Sequence, residues 1–237
     1  MRFILAALIV IPVLSSDVRA QTFSDNFNRP DGSVGNGWSP YGAGAALAGG
    51  ELRTIGSPGL GGGVVRSLSV AFPLSFSFDF STADPANGGW FIAFNAVSTL
   101  VPGPAMAQVS FFQFAGSRNV YRNINDPTEA SPNLPEPIPG WENYGSAPAH
   151  IRGHVNADLS SVITITYADS VQVTASWAAT APGPIGAALV LGNSSAYFGP
   201  HFFDNLLVTS TCQTTPCITS PPDGASPQSS FCGTFGN

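Results

Sequence analysis

From Leu74 to Ser81 the chain reads Leu-Ser-Phe-Ser-Phe-Asp-Phe-Ser. Apolar and polar residues alternate without a slip, so an extended segment puts Leu74 and three Phe on one face and Ser and Asp on the other. A helix would scatter those Phe side chains around its axis. A half-apolar strand also demands a second layer to cover its apolar face. Strand patterns recur over residues 90–95, 107–114, 150–156, 162–167, 171–177, 185–191 and 202–208. Turn formers separate them, as in Ala83-Asp84-Pro85-Ala86-Asn87-Gly88-Gly89 and Ala181-Pro182-Gly183-Pro184. No helical periodicity extends beyond two turns. Many short strands punctuated by Gly and Pro predict an all-β sandwich or barrel.

The N-terminus reads differently. Met1-Arg2 is followed by an apolar run over residues 3–14, and Val18-Arg19-Ala20 places small residues at the −3 and −1 positions of a cleavage site. That layout predicts a secretory signal peptide over residues 1–20 and a secreted chain from Gln21 onward. The run is too short to span a bilayer, and no later segment approaches about 18 uninterrupted apolar residues, so no membrane partner is expected. Charged residues make up 9% of the chain and hydrophobic ones 43%, which predicts a sizeable core and argues against disorder. Every basic residue is Arg, and the net charge is −6. Such a chain has no basic footprint, which excludes nucleic acid as an expected partner.

Two stretches break the strand rhythm. Residues 126–148 contain six Pro, each removing a ladder donor, so this stretch cannot be a central strand. Its Trp141 and Tyr144 suggest an ordered loop over a sheet, and loops of this length are often functional. Residues 210–237 form a Ser/Thr/Pro-rich tail holding all three cysteines, Cys212, Cys217 and Cys232. In an exported chain an odd count means one disulfide with a leftover thiol, or an intermolecular bridge that supports self-association.

Asp25-Asn26-Phe27-Asn28-Arg29 leading to Trp38, then Gly49-Gly50-Glu51-Leu52-Arg53, then Phe203-Asp204-Asn205, resemble the opening and closing segments of the concanavalin A-like lectin/glucanase superfamily. Laminarinase-type glycanases and laminin-G-like binding domains belong to it. The resemblance covers roughly residues 22–209 and implies a two-sheet antiparallel β-sandwich, a jelly roll, over residues 21–209. It also implies a structural calcium held by backbone carbonyls and one Asp, at positions matching Asn28 or Arg29, Gly50 and Asp204. Carbonyl and carboxylate oxygens are the ligands calcium prefers.

The resemblance further directs attention to the strand that carries Glu-x-Asp-x-x-Glu in the glycanases. The matching residues here are Gln108, Ser110 and Gln113. Retaining hydrolysis needs two carboxyls about 5 Å apart, and amides supply neither nucleophile nor acid. Asp79, Glu129, Glu136 and Glu142 form no convincing pair in the sequence. A lyase would instead use Arg, His, Gln and Tyr, and His150, Arg152 and His154 alternate on one strand face. Sugar binding needs aromatic faces and amide or guanidinium donors. Its candidates are Trp90, Gln108, Gln113, Tyr121, Arg122, Trp141, Tyr144, His150, Arg152 and His154, while Trp38 and Trp177 read as core. The leading expectation is a secreted, non-catalytic domain that binds a polysaccharide or other glycan. The alternatives are a polysaccharide lyase or divergent hydrolase on the same fold, and a structural or adhesive surface protein.

Overall fold

The computed structural model describes residues 19–55, 61–84, 89–95, 108–114, 119–125, 128–134, 147–180, 186–193 and 200–212. Trp141, Tyr144, Glu136, Glu142, Cys217, Cys232 and the apolar run over residues 3–14 lie outside them. Among the described residues there is no helix. The strands are β1 (Arg19–Asp25), β2 (Trp38–Gly42), β3 (Ala45–Ala48), β4 (Glu51–Ile55), β5 (Gly62–Val70), β6 (Leu74–Thr82), β7 (Gly89–Asn95) and β8 (Gln108–Phe114). They continue as β9 (Tyr121–Ile124), β10 (Thr128–Ala130), β11 (Ala149–Val155), β12 (Ser161–Thr166), β13 (Gln172–Trp177), β14 (Gly186–Asn193) and β15 (Pro200–Cys212).

They assemble into two antiparallel sheets. The eight-stranded sheet runs β13-β12-β11-β6-β15-β4-β3, with β1 also pairing on β15. The seven-stranded sheet runs β10-β9-β8-β7-β14-β5-β2. The all-β, two-sheet expectation therefore holds. β15 is long enough to take two partners on one side: residues 200–203 pair with β4, and residues 206–212 pair with β1. Its pairing with β6 shifts register between Asp204 and Leu207. Asn205 sits in that bulge at φ 51, a left-handed conformation that Asn tolerates better than most residues. The β1 ladder begins at Arg19, two residues before the expected mature start.

The alternation in β6 does what its period requires. Leu74, Phe76, Phe78 and Phe80 are buried, while Ser75, Ser77, Asp79 and Ser81 face outward. Phe76 meets Phe94 and Phe111 of the other sheet at ring-centroid distances of 5.7 and 5.8 Å. Phe78 meets Trp90 edge-on at 5.7 Å and Phe203 at 5.9 Å. These tilted contacts are the arrangement aromatic quadrupoles favour. Trp38 and Trp177 are buried, as the sequence predicts.

The motif from Asp25 to Trp38 is a buried polar node. The Asp25 carboxylate accepts from the Phe27 amide (2.8 Å), Arg29 Nη1 (2.7 Å), Asn36 Nδ2 (3.0 Å) and Trp38 Nε1 (2.8 Å). It ties the end of β1 to the start of β2, and so joins the two sheets. The edge of β13 is met by the side chains of Asn133 and Ser131, the latter accepting from the Ser176 amide at 3.2 Å. Asn133 Oδ1 accepts from the Ser176 amide and its Nδ2 donates to the Thr174 carbonyl, both at 2.8 Å. The amide thus imitates one residue of a neighbouring strand, which blunts a surface that otherwise invites pairing.

Candidate functional site

The eight predicted ligand residues that the structure describes do not form one site. Trp90, Gln108, Gln113, Tyr121 and Arg122 stand on the seven-stranded sheet; His150, Arg152 and His154 stand on β11 of the other. Within the first group the burial pattern divides them again.

Three of them point into the sandwich. Trp90 is fully buried and donates its Nε1–H to Gln113 Oε1 at 3.2 Å, so the indole N–H is satisfied inside the core. Arg122 is 2% exposed. Its Nε and Nη2 donate to Glu129 Oε2, and its Nη1 donates to the carbonyls of Leu159 (2.6 Å) and Ala178 (3.2 Å). Its guanidinium also stacks 5.8 Å from the Trp177 ring. Arg122 therefore clamps β9 to the loops around β12 and β13. The placement of these three on a ligand surface is corrected by their burial: the opposite sheet claims the side of each strand on which they stand.

Gln108 and Tyr121 point the other way, and the residues beside them build a platform. Because Trp90, Ile92 and Phe94 fill the core, Phe91 and Ala93 must face outward, as must Gln108, Ser110 and Phe112 beside core Val109 and Phe111. Register then aligns side chains across the strands. Tyr41 opposes Gly63, Gly63 opposes Gly192, Gly192 opposes Phe91, Phe91 opposes Phe112, and Phe112 opposes Tyr121. The next row runs Val65, Val190, Ala93, Ser110 and Asn123.

The first row is aromatic from end to end. A Cβ on Gly63 would lie 2.5 Å from Tyr41 Cε1, and one on Gly192 would lie 2.7 Å from the Tyr41 hydroxyl. The two glycines thus make the bed in which the Tyr41 ring lies flat. Burial pushes the Tyr41 hydroxyl above its ordinary ionisation range. At the other end Phe112 and Tyr121 stack at 5.2 Å with rings 13° from parallel. Phe91, Phe112 and Tyr121 are half-buried. The second row is polar where it reaches β8 and β9. Gln108 Nε2 approaches Asn123 Oδ1 at 3.5 Å, while Gln108 Oε1 and Ser110 Oγ are buried without a hydrogen-bond partner among the described residues. Tyr41, Phe91, Phe112 and Asn123 are missing from the sequence-based set, because their alignment runs across strands rather than along the chain.

The outer face of the eight-stranded sheet carries mostly polar side chains, with Val162 and Leu207 exposed among them. His150, Arg152 and His154 do project together from β11, as expected. His150 Nδ1 meets Asp79 Oδ1 at 2.5 Å, and Asn205 Nδ2 donates to Asp79 Oδ2 at 2.8 Å. Nearby, burial raises the Glu51 carboxyl above its ordinary range, and the negative charges of Asp204 and Asp79 raise it further. Asp204 is raised as well, by burial and then by Asp79 and Asp25, against a lowering hydrogen bond from the Asn205 amide. Asn28 Oδ1 lies 3.4 Å from where a Gly50 Cβ would stand, so two of the three calcium candidates are neighbours. No group of three or more His, Cys, Asp or Glu side chains suited to a metal occurs among the described residues. No disulfide is present among them either.

No family model matches the sequence, and no curated protein matches it. Solved structures do match the fold. Peanut lectin aligns with a TM-score of 0.58 at 14% identity, over 83% of this chain and 100% of the lectin. A Bacillus subtilis protein of unknown function with a galectin-like fold gives 0.58 at 9% identity, over 82% and 99%. The exoplasmic/lumenal domain of VIP36, in its Ca2+-bound form, gives 0.54 at 9% identity, over 79% and 88%. The chain has the concanavalin A-like lectin fold. At these identities the likeness establishes architecture, and function rests on the site.

Proposed function

We propose that this protein is a secreted carbohydrate-binding domain that holds a glycan on the outer face of its seven-stranded sheet without cutting it. The observation that carries the reading is the aromatic row Phe91–Phe112–Tyr121 lying beside the polar group Gln108, Ser110 and Asn123. Sugars present C–H faces that stack on aromatic rings and hydroxyls that need amide partners. The rows contain no carboxylate, so the paired-acid chemistry of retaining hydrolysis has no residues there. A lyase assembled from Gln108 with His150, Arg152 and His154 is disfavoured because those groups belong to opposite sheets. The lectins among the similar structures, one of them bound to galactose, point the same way.

Calcium fits as a structural partner beside Glu51, Asp204, Gly50 and Asn28. Glu51 and Asp204 carry like charges that burial penalises, and a cation relieves that penalty. Carbonyl and amide oxygens of Gly50 and Asn28 complete a donor set of the kind calcium takes.

A glycan array, run beside reducing-sugar and unsaturated-product assays, tests the reading. Binding without turnover is expected, and Tyr121→Ala should weaken it at least tenfold. Turnover of any polysaccharide refutes the non-catalytic reading; absence of all glycan binding favours the structural or adhesive alternative.

A further inference from the structure

On the face opposite the aromatic row, β6 and β11 bring Ser75 against His154, 79 residues on, with Asn156 just past the end of β11. Ser75 Oγ lies 2.8 Å from His154 Nδ1, and His154 Nε2 lies 3.1 Å from Asn156 Oδ1. The hydrogen-bond chain assigns the protons. Asn156 Nδ2 donates to Ser160 Oγ at 2.9 Å, and Ser160 Oγ donates to Asp158 Oδ1 at 2.7 Å. Asn156 therefore turns its carbonyl oxygen toward His154, and an acceptor there requires the proton on Nε2. In the neutral ring Nδ1 is left with a lone pair, and the Ser75 hydroxyl donates to it. This is the relation between a serine nucleophile and its general base, with an amide orienting the ring from behind.

The support is rigid. Asn156 opens a turn closed by its own amide to the Ser160 carbonyl (2.9 Å) and by the Leu159 amide to its carbonyl (3.0 Å). The Leu159 side chain is buried in the core, and its carbonyl accepts from the Arg122 clamp. Ser75 and His154 are directly opposite across the β6–β11 ladder. They open into a depression of about 310 Å3 whose lining includes Ser77, Arg152, Val162 and Leu207. Val162 and Leu207 are the exposed large hydrophobic residues among those described, at 43% and 40%. Arg152 stands two residues from His154 on the same strand face, about 7 Å along it, within reach of a diagonal neighbour on β6.

We propose that Ser75 and His154 form an acyl-transfer site for esters of short carboxylic acids, with Asn156 positioning the imidazole and Arg152 stabilising the oxyanion. Ser75 Oγ bonds to the ester carbonyl carbon as its proton passes to His154 Nδ1. The ester C–O bond then breaks, and the same proton leaves on the alcohol. Water attacks acyl-Ser75, giving its proton to Nδ1; the carboxylic acid departs and Ser75 regains a proton. Val162 and Leu207 offer apolar surface to the acyl chain. The site is independent of the glycan row, so either assignment can fail alone.

The test uses the full chain, a fluorophosphonate probe and p-nitrophenyl acetate. The probe should label Ser75, located by peptide mass, and Ser75→Ala should abolish both labelling and turnover. General-base catalysis contributes roughly 10²–10⁴-fold, so His154→Gln should lower kcat/KM by at least about 100-fold. Asn156→Ala should reduce kcat while leaving KM nearly unchanged, the mark of a positioning residue rather than a merely structural one. Ser39→Ala, on the other sheet, should behave as wild type. Thermal melts confirm that each variant is folded. A folded wild type that neither labels at Ser75 nor hydrolyses the ester above buffer overturns the proposal, as does a Ser75→Ala variant that retains turnover. Glycan binding by the same samples reads the opposite face separately.

Discussion

Replacing Asp25 with Ala removes the acceptor on which the node between the two sheets depends. The side chain is 1% exposed, so water cannot take over. Of its donors, the Phe27 amide and Trp38 Nε1 are buried and would be left unsatisfied. Each such loss costs about 1–3 kcal/mol. Arg29 is 29% exposed and can turn to solvent, so its share is smaller. Together these give a destabilisation of about 3–5 kcal/mol, the range found for breaking a buried pair. With a urea dependence of about 2 kcal/mol per molar, the unfolding midpoint should fall by roughly 1.5–2.5 M. Trp fluorescence follows the transition. The pH dependence adds a second check. Burial raises the Asp25 carboxyl, but the hydrogen bonds from Arg29, the Phe27 amide, Trp38 and Asn36 outweigh it and hold it below the ordinary range. A lowered folded value means the stabilisation is fully present above the unfolded value, near 3.9, and is lost as pH falls through the folded one. Asp25→Ala should therefore flatten the acid limb below about pH 4. A midpoint loss under about 0.5 M, equivalent to about 1 kcal/mol, would refute the account of the node.

The acid group around Glu51 should respond with the opposite sign. Its folded carboxyl is raised, so its ionised form destabilises at neutral pH and the penalty fades as pH falls through the raised value. Glu51→Gln should raise the melting temperature at pH 7 in chelator, with the gain shrinking near pH 4; calcium should stabilise wild type more than this variant. Gly153 faces the core, where an added Cβ would lie 2.2 Å from Phe76 Cζ and 2.8 Å from Ile163 Cδ1. Gly153→Ala should cost about 1–3 kcal/mol through overpacking, read as a lowered urea midpoint.

Much of the fold is legible because strand structure has a short period. The buried Phe of β6, and the extents of β7, β11, β12 and β13, follow from alternation within a few residues. The short strands β2, β3, β9 and β10 are not legible this way, since three to five residues hold too few alternations. Cross-chain pairing stabilises them instead. Tyr121 is half-buried on the face turned away from the core, whereas Trp90, Gln108 and Arg122 read as equally good ligands and are buried. Their residue types suit either role; only the packing around them decides.

By itself, then, the sequence determines that strands form here, which of their faces are apolar, and that carboxylates are missing from the strand Gln108–Phe114. Those are local properties of neighbouring residues. Tertiary structure decides which strands lie side by side, and with that the rows perpendicular to the chain. Tyr41 reaches Tyr121 through four other strands, and Ser75 meets His154 across 79 residues. Such neighbours are set by ladder register and by the packing of two sheets.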